Sequence, residues 1–353
     1  MQELVWLVLV DFIEKEDSSS LSEGSFSFFY SKLKEKMSKK FRDQRPFSMN
    51  FELVETIGVD GQQQNSHDGF ACPWDVKFSC ECNCIMVSDF DNHRIQVFDA
   101  ITKEYKTTLI FHSEIYYPQC LCIEKDYDGI GGEALLLGHV NADAVRVLSK
   151  FDLKNILTNS IQQQQAATHE LWSSRYCSPD GIAVWRKTEL LKDRIVVVCD
   201  YKRHAIYLFE SSTGEFIQEL AIDYPLFKIE HPSAICISMD GLMFISFHTL
   251  RDNILILRYS YEKEKWIVLK DLSNVNNYCK GPNGLYFDNA SRRLLVCFSD
   301  SQTVQVFSED GTFCKMFKLP QEDLPILSGI CVCEWTGELC VCDCGNHRLQ
   351  IYK

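Results

Sequence analysis

The chain has no apolar run approaching the ~20 residues that a membrane-spanning helix needs. No two of its seventeen cysteines stand three positions apart. The first absence excludes a helical membrane protein. The second removes the CxxC pair on which structural zinc modules and RING domains are built. Positive charge is also short: 36 lysines and arginines stand against 49 acidic residues, a net charge of -13. That is the wrong sign for a phosphate backbone. The apolar run Leu4–Val10 near the N-terminus has no basic residue before it and ends at Asp11, so it is not read as a secretory signal.

What the chain does hold is ordinary for a folded protein, with 46% apolar and 24% charged residues. Its cysteines fall in alternation: Cys80, Cys82 and Cys84; Cys120 and Cys122; Cys331 and Cys333; Cys340, Cys342 and Cys344. Neighbours at i and i+2 of a strand share a face, so these read as small buried apolar side chains kept as thiols. A reducing compartment, cytoplasmic or nuclear, is the expected setting.

The dominant feature is a repeat. SDFDNHRIQVF at 88–98 returns as CDCGNHRLQIY at 342–352. The same pattern of apolar strand, polar turn and alternating strand recurs around Val87, Leu137, Val198, Ile245, Val296 and Val341, at spacings of 45 to 61 residues. Upstream of each lies an anchor that opens another short strand: Pro73, Pro118, Pro179, Pro232, Pro282 and Leu327. A fourth strand follows in the units before the last, as in EYKTTLIF at 104 and GEFIQEL at 214. Four antiparallel strands repeated six times predict an all-β, six-bladed β-propeller. The extra residues in DYDGIGGE and RKTELLKD are expected at hairpin tips. The sixth unit lacks a fourth strand after Tyr352, and an open edge invites aggregation. NFELVETIG at 50–58 is expected to supply that strand and close the ring, with the propeller spanning 50–353.

WD and GH occur once each rather than once per blade, and the double glycine of kelch blades appears only at Gly131 and Gly132. What recurs is Asp-x-x-Asn-His-Arg. Asp89, Asn92, His93 and Arg94 match it in full, as do Asp343, Asn346, His347 and Arg348, while Asp200 and His204 match in part. On these residues the chain resembles the NHL-repeat family, as found in tripartite-motif and RING-type proteins, though with no RING of its own. The resemblance implies a rigid platform for a protein partner. It also raises three other roles: a substrate-recognition adaptor acting with a RING ligase in trans, a lyase-like enzyme with metals in the channel, and an RNA-binding propeller.

The residues weigh against the last two. Equivalent histidines on a ring lie far apart and do not converge on one ion, so the Asp, His and Arg of the turns are read as structural. No catalytic residue, metal ligand or cofactor is assigned. Residues 1–49 carry eight basic and eight acidic side chains, so the charge of -13 belongs to the propeller and nucleic acid is not the expected partner. The positions after each anchor, among them Gln119, Asp180, Ser233 and Asn283, are expected at the channel mouth, along with Trp74 and Ser328. Residues 154–176, which include a glutamine run, read as an insertion on the face of the Asp-x-x-Asn-His-Arg turns. Trp172 and Tyr176 are its candidate anchors for a partner. Residues 1–49 are expected to form an N-terminal extension, with Phe26, Phe29, Leu33, Met37 and Phe41 at helical spacing on one amphipathic helix. The propeller is expected to be a monomer.

Overall fold

In the computed structural model the described residues are 44–353, apart from 59–64, 68, 112–114, 164–169, 189, 225–226, 250–251, 273–279 and 320–325. The amphipathic helix expected in the N-terminal extension lies outside them. Six sheets follow one another along the chain. Blade 1 is Pro73–Ser79, Cys84–Asp89, Arg94–Asp99 and Tyr105–Leu109. Blade 2 is Leu121–Lys125, Glu133–Val140, Arg146–Asp152 and Glu170–Ser174. Blade 3 is Gly181–Arg186, Arg194–Asp200, Ala205–Glu210 and Phe216–Glu219. Blade 4 is Pro232–Ile237, Leu242–Phe247, Asn253–Ser260 and Lys265–Asp271. Blade 5 is Pro282–Asp288, Arg293–Phe298, Thr303–Ser308 and Phe313–Lys318. Blade 6 is Leu327–Val332, Leu339–Asp343 and Arg348–Tyr352, and its fourth strand is Leu53–Ile57. That strand runs antiparallel to Arg348–Tyr352, with Ile57 opposite Leu349.

The second strand of each blade is covered on both faces, so it reads as an unbroken apolar run such as IVVVC at 195–199. The buried side chains divide into six clusters, one at each junction between neighbouring blades. Burying both faces of every sheet against its neighbours is what ties the blades into a ring. Each blade's first strand runs away from the face that carries the blade-to-blade connections and the turns between second and third strands. We call this the upper face. The hairpins between first and second strands, and those between third and fourth, lie on the lower face.

Three features depart from the sequence reading. First, the segment read as an insertion at 154–176 holds regular elements among its described residues. Leu153–Gln163 is a helix, α1, and Leu153, Ile156 and Leu157 are buried in the cluster between blades 1 and 2. Glu170–Ser174 then forms the outer strand of blade 2. Because α1 joins a third strand to a fourth, it lies on the lower face, where Lys154 approaches Glu81 of a blade 1 hairpin. The insertion was placed on the upper face, and the strand count reverses that. Second, packing against the propeller starts before residue 50. Phe47 and Phe51 are buried between blades 5 and 6, Phe47 N donates to Asp288 Oδ2 at 3.1 Å, and Phe51 stacks on Phe317. Third, Ile222–Asp223 adds a fifth, parallel strand to the outer edge of blade 4.

Candidate functional site

The Asp-x-x-Asn-His-Arg turn is a hydrogen-bonded knot. Asp89 ends the second strand of blade 1 fully buried. Its Oδ1 accepts from Ala71 N at 2.6 Å, and its Oδ2 accepts from Asn92 Nδ2 at 2.8 Å and Arg94 Nε at 2.7 Å. Burial pushes the Asp89 carboxyl up from its usual value, against the pull of these donors. Asp343 repeats the bonds to Asn346 Nδ2 and Arg348 Nε. Asp200 instead accepts from two backbone groups, Arg203 N and Ser178 N, each within 3 Å.

The three histidines sit in the left-handed region with φ of 55° and reach across to the next blade. His93 Nδ1 accepts from Tyr117 N, His204 Nδ1 from His231 N, and His347 Nδ1 from Cys72 N. Each donor immediately precedes the anchor proline of the following blade. An imidazole accepting at Nδ1 carries its proton on Nε2, so these are neutral latches between blades.

The central channel is a shallow cup opening on the upper face. Trp74, Asp180, Asn283 and Ser328 line it, together with Asp75 and Lys77, around a cavity of about 50 Å³. Gln119 stands beside the cup and donates to Asp180 Oδ1 at 3.1 Å. Ser233 does not line the cavity; its carbonyl faces Gly181, where a Cβ would collide with it. Gly284 meets the carbonyl of Ser328 in the same way, so glycine lets the innermost strands close up. The mouth's charges are committed. Asp75 Oδ1 bonds Lys77 Nζ at 2.5 Å and Oδ2 accepts from Leu121 N. Burial disfavours the Lys77 ammonium, but Asp75 more than offsets this and holds its pKa above the usual lysine value. Asp180 Oδ1 pairs with Arg146 Nη1 at 2.8 Å and its Oδ2 accepts from Tyr201 N.

Deeper in, Cys122 is pushed up to about 12 by burial, and so is Cys80. Both stay protonated thiols. The lower end is bridged by Lys125 and Glu334, 2.5 Å apart, with Cys80 Sγ 3.2 Å from Glu334. Gln44 Nε2 and Arg45 N bond the same glutamate residue, so the segment leading into Phe47 occupies this lower side. Among the described residues no three His, Cys, Asp or Glu side chains are grouped as metal ligands.

Around the cup stands a rim of rings. Trp74 lies 5.6 Å from Phe90, Phe90 5.1 Å from Tyr117, and Tyr117 4.3 Å from His93. Two blades on, Tyr201 lies 4.5 Å from His231, which packs edge-on against His204. Tyr117 is 39% exposed and Tyr201 36%. Phe90, Tyr117 and Tyr201 were missed in the sequence although they and His231 share an offset. Phe90 and Tyr201 follow the turn aspartate, and Tyr117 and His231 precede an anchor proline.

The expected anchors separate. Trp172 donates from Nε1 to Ser211 O at 2.9 Å and covers Gly214, tying blade 2 to blade 3. Tyr176 leaves the outer strand of blade 2 toward the upper face, 47% exposed and stacked on Phe216 at 4.2 Å.

Fold and cup together define a six-bladed β-propeller with a small cavity at the upper end of its channel. The NHL repeat model matches residues 326–352, which span blade 6 up to Tyr352, so the six-bladed β-propeller carries an NHL repeat in its last blade. No curated protein matches the chain. Among solved structures it resembles an auxiliary nutrient binding protein from Bacteroides thetaiotaomicron, at 12% identity and a TM-score of 0.57, over 84% of this chain and 76% of that one. It also resembles Kuenenia stuttgartiensis hydrazine synthase, at 13% identity and a TM-score of 0.51, over 83% of this chain and 99% of that one. At these identities the likeness is one of fold.

Proposed function

We propose that the protein is a non-catalytic platform that binds another protein through its upper face. The observation that carries this reading is the rim of Phe90, Tyr117, Tyr201 and His231 around the cup, in which Tyr117 and Tyr201 are exposed and Phe90 and His231 half-buried. Large rings with little conformational freedom are the side chains that anchor protein interfaces. The cup itself supports binding over catalysis. Its cavity of about 50 Å³ suits a few waters rather than an organic substrate. Asp75 and Asp180, the acids at its mouth, are already paired with Lys77 and Arg146. The net charge of -13 favours a protein partner over nucleic acid. Gln119, Asp180, Asn283 and Tyr176 belong to the proposed surface; Trp172 and Ser233, which serve packing, do not.

The test replaces Tyr117 and Tyr201 with alanine in one variant, and Lys187 and Lys192 of the lower face in another. Partners retained from the protein's own cells are quantified for both. The reading expects losses of tenfold or more from the first variant alone. Losses from the second alone, with both variants folded, would move the working face to the opposite side.

A further inference from the structure

Cys72 and Cys344 form a disulfide, with Cα atoms 4.3 Å apart and 272 residues between them in sequence. This corrects the sequence reading, which kept every cysteine as a thiol. The other described cysteines are free, including Cys331 and Cys340, which face each other across two strands of blade 6. The bonded pair occupies a special place. Cys72 immediately precedes Pro73, where blade 1 begins, and Cys344 lies in the turn that leads to the last strand of blade 6. The same seam carries the His347 latch to Cys72 N and the pairing of Leu53–Ile57 with Arg348–Tyr352.

We propose that this disulfide is a reversible redox clasp on the junction between blades 6 and 1, a property separate from partner binding. In the forward step the two thiols exchange with a low-molecular-weight disulfide of the glutathione class. The Cys72 Sγ–Cys344 Sγ bond forms, the external S–S bond breaks, and two external thiols leave with the electrons and protons. A dithiol reductant reverses it. Two features make the junction suited to switching. Cys72 is only half-buried, so a small thiol has a path to one sulfur. The strand pairing and the histidine latch remain after reduction, so the ring loosens at its seam instead of opening. The clasp also reaches the upper face, because Trp74, two residues past Cys72, lines the cup and packs on Phe90.

The experiment equilibrates the full chain in graded ratios of oxidised to reduced glutathione, quenches in acid, alkylates, and maps the cysteines by mass spectrometry. Cys72 and Cys344 are expected to pass together from alkylated peptides to one linked peptide within the range tested. The reduced protein is expected to melt on the order of 5 °C lower, since the bond closes a long loop. Amide exchange should quicken severalfold at 53–57 and 348–352 while Arg194–Asp200 in blade 3 stays unchanged. Cys344→Ser should melt like the reduced protein in either buffer. Four results would each overturn the clasp: alkylation of both cysteines at the most oxidising ratio, a link that persists at the most reducing one, equal melting of the two forms, or redox-dependent melting in Cys344→Ser.

Discussion

His347, in the last blade, accepts the backbone N–H of Cys72 at 3.0 Å, although 275 residues separate them. The same bond joins His93 to Tyr117 and His204 to His231. The histidines that give the repeat its signature therefore hold neighbouring blades together and do not gather around an ion.

That role sets an expected cost for losing one. Asparagine tolerates the left-handed conformation but is too short to reach the next blade. His204→Asn should cost about 1 kcal/mol by leaving the His231 N–H without its acceptor. The three latches lie far apart, so substituting all three should cost about 3 kcal/mol, near the sum. Urea denaturation followed by tryptophan fluorescence measures both, and a triple variant as stable as the parent would remove the latch from the account.

Ring closure uses more than a strand. Phe47 and Phe51 fill the cluster between blades 5 and 6 beside Leu295 and Val341. Phe51→Ala should cost on the order of 3 kcal/mol, as other buried phenylalanines do. Removing residues 1–57 should cost more and leave the last strand of blade 6 open to association. Thermal melts and light scattering check this. A truncated chain that melts like the full one and stays monomeric would contradict it.

His139 makes stability depend on pH. Burial lowers its pKa from the ordinary 6.5 to about 4, and its Nε2 lies 2.9 Å from Ser149 Oγ in the interior of blade 2. Above pH 6.5 the ring is neutral folded or unfolded, and it contributes no pH dependence. As pH falls from 6.5 toward 4, the unfolded chain takes up a proton that the folded chain refuses, and stability is lost. Over that window the loss approaches about 3 kcal/mol. His139→Gln should melt with a smaller drop between pH 7 and pH 4.5 than the parent does. Equal drops would show that His139 is not the group responsible.

The sequence made the blades legible because the inner strands must alternate or run apolar, and because the turn needs an Asp to hold the Asn and Arg side chains that follow it. It hid what depends on a neighbour far along the chain. Leu153, Ile156 and Leu157 carry the helical spacing of α1, yet the adjoining glutamine run masked it. Trp172 looked free to meet a partner until Gly214, 42 positions later, proved to be the surface it covers. The lower side of the channel could not be read from any one blade, since Lys125, Glu334, Cys80 and Gln44 come from four separate stretches. The upper rim was within reach, for Phe90 with Tyr117 and Tyr201 with His231 keep one spacing relative to the repeat.

The central claim is that the upper face is where another protein docks. Its most direct test places a photo-crosslinking amino acid at Tyr117 or Tyr201 in one pair of variants, and at Lys187 or Lys192 in another. All four are irradiated in the protein's own cells and the adducts identified by mass spectrometry. Discrete protein adducts from positions 117 and 201, with none above background from 187 and 192, are the predicted result. Adducts only from the lower positions, or nucleic acid as the main adduct of the upper ones, would contradict it.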